Sequence, residues 1–373
     1  MGFWKTRGRL MATAGLLTLG LAGAGWAQTS PEAERRSDAI FEQITQYSQA
    51  GDPAAAASVA ENASKTFAAE GERYLAASYW LMKAEFTAEL GNWLQVDSDL
   101  SPRVDELLRD LDAEDKDRAD TVLMVLMDAQ GFLGARERQD SIAERWLARI
   151  RDRYGEMSEE DIQARIRAAR SLLQSGHDEE GYNRLKQALA VSAMTSHHAL
   201  TITGYQVYGR AFMQANQINR AVELFEAGLA SRAASVDTQD LPYLWAFNAG
   251  IKGDSGRLEE AVRDFEHAAR IAERMYGKAS EGYVLVRDEH AAALARNGYP
   301  ASSTTMMGQN YRLALETFGP DFNWTWKTAN NYADQLREIG APLEAAELDA
   351  FLIEKRAAHY GANHFNVYVS TNN

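Results

Sequence analysis

Few of the 373 residues are spaced to do chemistry together. His197 and His198 are adjacent, and on a helix neighbours in sequence point about 100° apart, which argues against joint ligation of one metal. No His-Glu-x-x-His spacing occurs among the seven histidines, which read as surface or helix-end residues. Gly253-Asp254-Ser255-Gly256 holds a serine between glycines without the spacing of a nucleophile elbow. Gly277-Lys278-Ala279-Ser280 has the lysine of a phosphate loop, but Ala272 stands where that loop needs its first glycine. The acidic pairs Glu159-Glu160, Glu179-Glu180 and Glu259-Glu260 read as favourable helix starts rather than as general acid and base. Asn62-Ala63-Ser64 and Asn323-Trp324-Thr325 fit the glycosylation pattern, which carries no meaning in a bacterial chain. The residues therefore supply no catalytic group, no metal site and no cofactor motif.

Composition narrows the field further. The chain has no cysteine, which removes disulfides, thiolate metal sites and cysteine nucleophiles. Its 53 acidic against 39 basic residues give a formal charge of −14, opposing non-specific binding to nucleic acid or anionic lipid. The first 27 residues stand apart. Lys5, Arg7 and Arg9 precede an uncharged stretch from Leu10 to Ala27 that ends Gly25-Trp26-Ala27, the layout of a secretory signal peptide cut near Ala27. The rival reading is an uncleaved membrane anchor, since that stretch is 18 residues long and barely spans a bilayer. Export without disulfides suits the bacterial periplasm.

The elements that must position any site are set by a period. Small-residue turns fall at Gly51, Gly91, Gly134, Gly176, Asn216, Gly256, Gly298 and Gly340, with gaps of 40 to 43 residues. Such a period means stacked helical hairpins. After Gly256 come Ala261, Phe265 and Ala268; after Asn216, at the same offsets, Ala221, Phe225 and Gly228; after Gly176, Gly181, Leu185 and Ala188. After Gly340, Ala345 keeps the pattern and Asp349 loses the aromatic place. A small residue lets two antiparallel helices approach and the large one fills the groove between them. Trp80 and Trp245, each eleven residues before a turn, are expected to be buried. The seven prolines are expected at helix starts or in loops, with Ser30-Pro31, Asp52-Pro53 and Ser101-Pro102 as cap-and-first-residue pairs. The acidic stretch Asp110 to Asp120 reads as a long loop between hairpins. No strand-forming run is visible.

This pattern of Trp, Gly turn, Ala, Phe and Ala resembles the tetratricopeptide repeat over roughly residues 31 to 373. From about 239 onward it is more similar to the 42-residue repeats of kinesin light chains. A second glycine series, Gly277, Gly319 and Gly361, and the recurrence of Asn330-Asn331 as Asn372-Asn373 carry that closer likeness. The resemblance implies an all-α, right-handed α-solenoid over residues 28–373, with about eight hairpins and a ninth begun at 362.

It also implies a peptide-binding groove lined by first helices. The matching positions are Gln206 and Arg210 in the fifth hairpin and Lys327, Asn330, Asn331, Asp334 and Arg337 in the eighth. There, Lys327 and Arg337 would meet a carboxylate and the Asn pair a peptide backbone. The positions of the seventh hairpin, Leu285, Asp288 and Ala292, do not continue this track. The chain is thus expected to be an exported, non-enzymatic scaffold with a protein or peptide partner. Two alternatives remain: the recruiting front part of a longer caspase-like CHAT protease, whose His-Cys pair these residues lack, or a membrane-anchored envelope component.

Overall fold

The computed structural model describes residues 29–361. The leader, the start of the ninth hairpin and Asn372-Asn373 lie outside the described residues. Regular structure among the described residues is helical, and none of these helices is long and apolar enough to cross a membrane. Two compact units are present, one up to Val191 and one from Ser192 onward.

The first unit holds α1 (Pro31–Gln49) and α2 (Pro53–Ala69), then α3 (Arg73–Glu89) with α4 (Trp93–Leu100) and α5 (Val104–Asp112). It continues with α6 (Lys116–Phe132) and α7 (Arg136–Tyr154), then α8 (Glu159–Gln174) and α9 (Asp178–Ala193), which ends just past the boundary. The second unit holds four pairs: α10 (His198–Gln214) with α11 (Ile218–Ala230), α12 (Leu241–Asp254) with α13 (Leu258–Tyr276), α14 (Glu281–Arg296) with α15 (Pro300–Phe318), and α16 (Asn323–Glu338) with α17 (Pro342–Tyr360). Each of the eight expected turns falls between the two helices of a pair.

The turns share one hydrogen-bond pattern. At Gly256 the glycine N–H donates to the Gly253 carbonyl at 2.9 Å and the Arg257 N–H to the Lys252 carbonyl at 2.9 Å, the Schellman arrangement that satisfies the last carbonyls of a helix. It requires a left-handed residue, and Gly256 has φ +80°. Asn216, the one non-glycine of the series, has φ 58° and makes the same two bonds, as asparagine tolerates this region best after glycine. The second glycine series is different. Gly277 has φ 81° and ψ 162°, a conformation essentially closed to side chains. The chain thereby leaves α13 extended and enters α14, where Ser280 Oγ caps the Tyr283 N–H at 3.2 Å.

The small–large–small pattern does the packing expected of it. Ala261, Phe265 and Ala268 are buried, as are Ala221, Phe225, Gly228, Leu185 and Ala188. A Cβ on Gly228 would lie 2.8 Å from that of Tyr205, and one on Gly181 2.8 Å from Leu173. Each wholly buried Phe contributes roughly 2–3 kcal/mol of transfer free energy. Ser30 and Asp52 accept the N–H of Ala33 and Ala55 as caps ahead of a proline.

Three expectations need correction. Ser101 does not cap a helix, because Pro102 lies within the second helix of its hairpin. With no N–H to donate, it breaks that helix into α4 and α5 through a 3-10 turn over Ser101–Arg103. The stretch Asp110 to Asp120 is no long loop: α5 runs to Asp112, and Asp115 caps α6 by accepting the Arg118 N–H at 2.9 Å. Several of its acids hold basic residues of other helices, Asp112 and Asp120 both pairing with Arg149. Finally, Trp80 and Trp245 are only half-buried, and Trp80 donates its Nε1–H to the Asp99 carbonyl at 3.0 Å.

Neither Gly256 nor Gly277 has an atom within 4 Å of where a Cβ would lie, so substitutions there report the backbone alone. Gly256→Asn should cost under about 1 kcal/mol and Gly277→Asn about 2–3 kcal/mol, measured by urea unfolding. Equal costs would contradict the assignment of two different turn conformations.

Candidate functional site

The polar residues singled out in the eighth hairpin lie on α16, and the structure brings three of them together. Lys327, Asn330 and Asn331 line a cleft of about 340 Å³ with Asn323, Trp326, Arg356 and Tyr360. The reason is helical spacing: positions 323, 326, 327, 330 and 331 fall on one face at i, i+3, i+4, i+7 and i+8. Trp326 is buried and anchors the floor, donating its Nε1–H to the Pro320 carbonyl at 2.8 Å. His359 meets its ring edge-on at 5.4 Å. Lys327 holds its ammonium 4.3 Å from the Trp324 ring centroid and makes no ion pair among the described residues. No carboxylate lines the cleft.

Arg337 and Asp334 have other engagements. The Arg337 guanidinium donates to Asp349 at 2.6 Å on α17 and to Asp334, and Asp334 accepts from Asn330 Nδ2 at 3.1 Å. Arg337 therefore ties the two helices of its hairpin together, and Asp349 lost its aromatic place to this role. The cation that faces the cleft in its stead is Arg356, which burial pulls down from the usual guanidinium range. The period could have revealed it, because Ala272 and Ala314, at 84 and 42 residues earlier, are buried alanines.

The fifth hairpin divides. Gln206 is buried at 7% exposure and so lies under the first-helix face. Arg210 is exposed, with its guanidinium 5.3 Å from the Phe247 ring centroid.

In the seventh hairpin Asp288 is buried and supports the eighth from beneath. Asp288 accepts from Asn331 Nδ2 at 3.3 Å and from Asn310 Nδ2 at 2.6 Å, linking α14, α15 and α16. Arg287 Nε donates to Asn310 Oδ1 at 2.7 Å and fixes that amide. Burial is the main cause that pushes the Asp288 carboxyl up to about 6, opposed by the Asn310 bond and the Lys327 charge. Glu289, beside it, is also raised by burial and feels the opposing charges of Arg296, Lys327 and Arg210. Sequence offsets missed Glu289 because the expected positions skip it.

His290 is likewise neither a surface nor a helix-end residue: it stacks on Phe265 at 4.8 Å in mid-helix, and burial lowers its pKa. No group of acidic or histidine side chains suited to a metal occurs among the described residues. The three acidic pairs fall in the first turns of α8, α9 and α13. The arrangement can hold and orient a ligand; it offers no nucleophile beside a base.

Folded Asp288, with its pKa near 6 against about 3.8 unperturbed, keeps its proton more tightly than the unfolded chain does. Its contribution to stability is therefore full below about pH 4 and is lost as pH rises through about 6, by up to about 3 kcal/mol. Urea unfolding of the wild type and Asp288→Asn at both ends of that window should show the wild type losing that much more than the variant. Parallel losses would contradict the burial of a titrating carboxyl.

No family model and no curated protein matches the chain. Among solved structures it is similar to BtubC (BKLC) from P. vanneervenii, at 15% identity over 60% of this chain and 92% of that one, with a TM-score of 0.48. It is similar also to kinesin light chain TPR-like repeats from Podosopora anserina, at 19% identity over 52% of this chain and 94% of that one, TM-score 0.38. The quorum sensor NprR from B. thuringiensis aligns at 11% identity over 91% of this chain and 97% of that one, TM-score 0.34. Judged on their own geometry, the left-handed turns and the small–large–small packing across each pair, the described helices form antiparallel hairpins at the period the sequence sets.

Proposed function

We propose that the chain is an exported protein-interaction scaffold that takes a peptide or partner protein along the first-helix face of its second unit. The observation that carries this reading is the cleft lined by Lys327, Asn330, Asn331 and Arg356 without a carboxylate, in a chain of formal charge −14. Local positive lining in an acidic protein selects an anionic group by charge and by the planar fork of the guanidinium. Two amides beside it add bonds to a peptide backbone. Asn331 is held in place from below by Asp288, so part of the surface is ordered before a ligand arrives, which lowers the entropic cost of binding. Binding without chemistry is the role that fits a face with no nucleophile.

A photo-crosslinking residue placed at Lys327 or Asn330 should capture one discrete partner, whereas the same residue at Glu347, exposed on α17, should not. Lys327→Ala with Asn330→Ala should weaken capture roughly tenfold while leaving helicity unchanged. Equal capture from both faces would overturn the groove assignment. Export is tested separately: mass spectrometry of the protein from its native host should find an amino terminus at Gln28, and an intact leader would favour membrane anchoring.

A further inference from the structure

The cleft on the eighth hairpin has a counterpart one hairpin earlier, and there it is filled. Set back by 42 residues, Trp326, Asn330 and Arg356 become Val284, Asp288 and Ala314, and all three of these are buried. What covers them is α16. Thr325 Oγ1 donates to the Ala314 carbonyl at 3.2 Å and to the Gly319 carbonyl at 2.7 Å, and Asn331 reaches Asp288 from the same helix. Further along α15, the Tyr332 ring lies over Gly308, 3.1 Å from where a Cβ would stand, and Gln335 accepts from Ser303 at 3.1 Å. The sixth hairpin receives α14 in the same way: a Cβ on Gly282 would lie 2.7 Å from both Tyr243 and Tyr276, and His290 stacks on Phe265. The side of a hairpin that meets its successor is thus a trough between two helices, and its occupant is a helix.

On the eighth hairpin the trough is open. Ala350 holds the place of buried Gly308 and is exposed, as is Ala346 one turn before it. Asn323 and Lys327 are exposed as well, and beside them lies the cleft of about 340 Å³. Small side chains on α17 leave the room that a third backbone needs to come close. The chemistry has changed from one hairpin to the next. Leu285 and Ala314 are replaced by Lys327 and Arg356, no carboxylate lines the cleft, and Lys327 makes no ion pair among the described residues. A helix seated here as α16 is seated on the seventh hairpin would set the counterpart of Thr325 beside Arg356, where an acidic side chain gains a charge-assisted bond.

We propose that this trough takes an α-helix of a partner protein, laid against α16 and α17 as α16 itself lies against α14 and α15, with acidic side chains facing Lys327 and Arg356. The inference rests on the reading of the cleft as a recognition site and adds the shape and charge of what is recognised. The partner helix continues an interface that the chain already builds between its own hairpins, so the receiving surface is in place before it arrives.

The test uses three peptides titrated into the full chain by fluorescence anisotropy. One is alanine-rich, about 18 residues long so that it forms a helix by itself, with glutamates one turn apart on one face. The second carries a proline at its centre, which breaks the helix, and the third has glutamine in place of every glutamate. The helical glutamate peptide should bind, the proline version at least roughly tenfold more weakly and the glutamine version at least roughly fivefold more weakly. Ala350→Gln, a bulkier helix former at an exposed position, should cost the helical peptide at least roughly fivefold, and Lys327→Ala likewise. Glu347→Gln, exposed elsewhere on α17, should change its affinity less than about twofold. The proposal is overturned if the proline peptide binds as well as the helical one, a result that leaves the cleft as a recognition site for an extended ligand. It is overturned equally if Ala350→Gln costs nothing, or if neither peptide binds; photo-crosslinking at Lys327 then decides the recognition reading by itself. Self-association of the chain that Ala350→Gln abolishes would assign the trough to a second copy and overturn it too.

Discussion

A single helical hairpin of this chain cannot hide its own apolar side, and everything else in the structure follows from that shortage. Helices that pack on both faces need small residues where backbones come close and large ones where gaps open. Gly209 shows how tight the fit is: a Cβ there would lie 2.3 Å from the ring of Phe225. The turns answer the same constraint. A Schellman cap reverses the chain within two or three residues and gives partners to carbonyls of the last helical turn, so the second helix returns directly onto the first.

Burying two faces of each helix leaves only narrow strips for polar residues, and this is why the charged groups are so ordered. Second helices spend theirs on neighbours, as Arg149 does on Asp112 and Asp120. First helices keep some for the open face. Where an acid lies partly beneath that face, burial and nearby charge press on its ionisation, as they do at Asp288 and Glu289. The second unit leaves open a cleft with cations and amides between α16 and α17.

The fold was readable because it is periodic. Eight turns, the packing triplets and the extended glycines repeat often enough to be seen without neighbours in space, and even Asn216 could be placed by its spacing. Single events were harder. Pro102 looked like a helix start because Ser101 precedes it, yet tertiary packing keeps both halves of the broken helix in one hairpin. The candidate cleft on α16 and α17 was legible only in part. Repeat offsets found Lys327, Asn330 and Asn331, but they could not tell that Arg337 turns to Asp349 or that Gln206 lies beneath the surface. Nor could they find Glu289 and Arg356, whose roles arise from side chains that meet across helices. Periodicity tells which face a residue occupies, and hydrogen bonding decides whether it remains available.

The contact of Gly209 with Phe225 tests the packing argument most directly, through a double-mutant cycle of Gly209→Ala and Phe225→Leu followed by urea unfolding. Each change alone should destabilise, the first by forcing the ring aside and the second by leaving a gap. If close approach of paired helices is what the fold depends on, the double variant should be more stable than the sum of the two predicts, by at least about 1 kcal/mol. Strict additivity would mean that these helices are not held at the distance the small residues are there to permit.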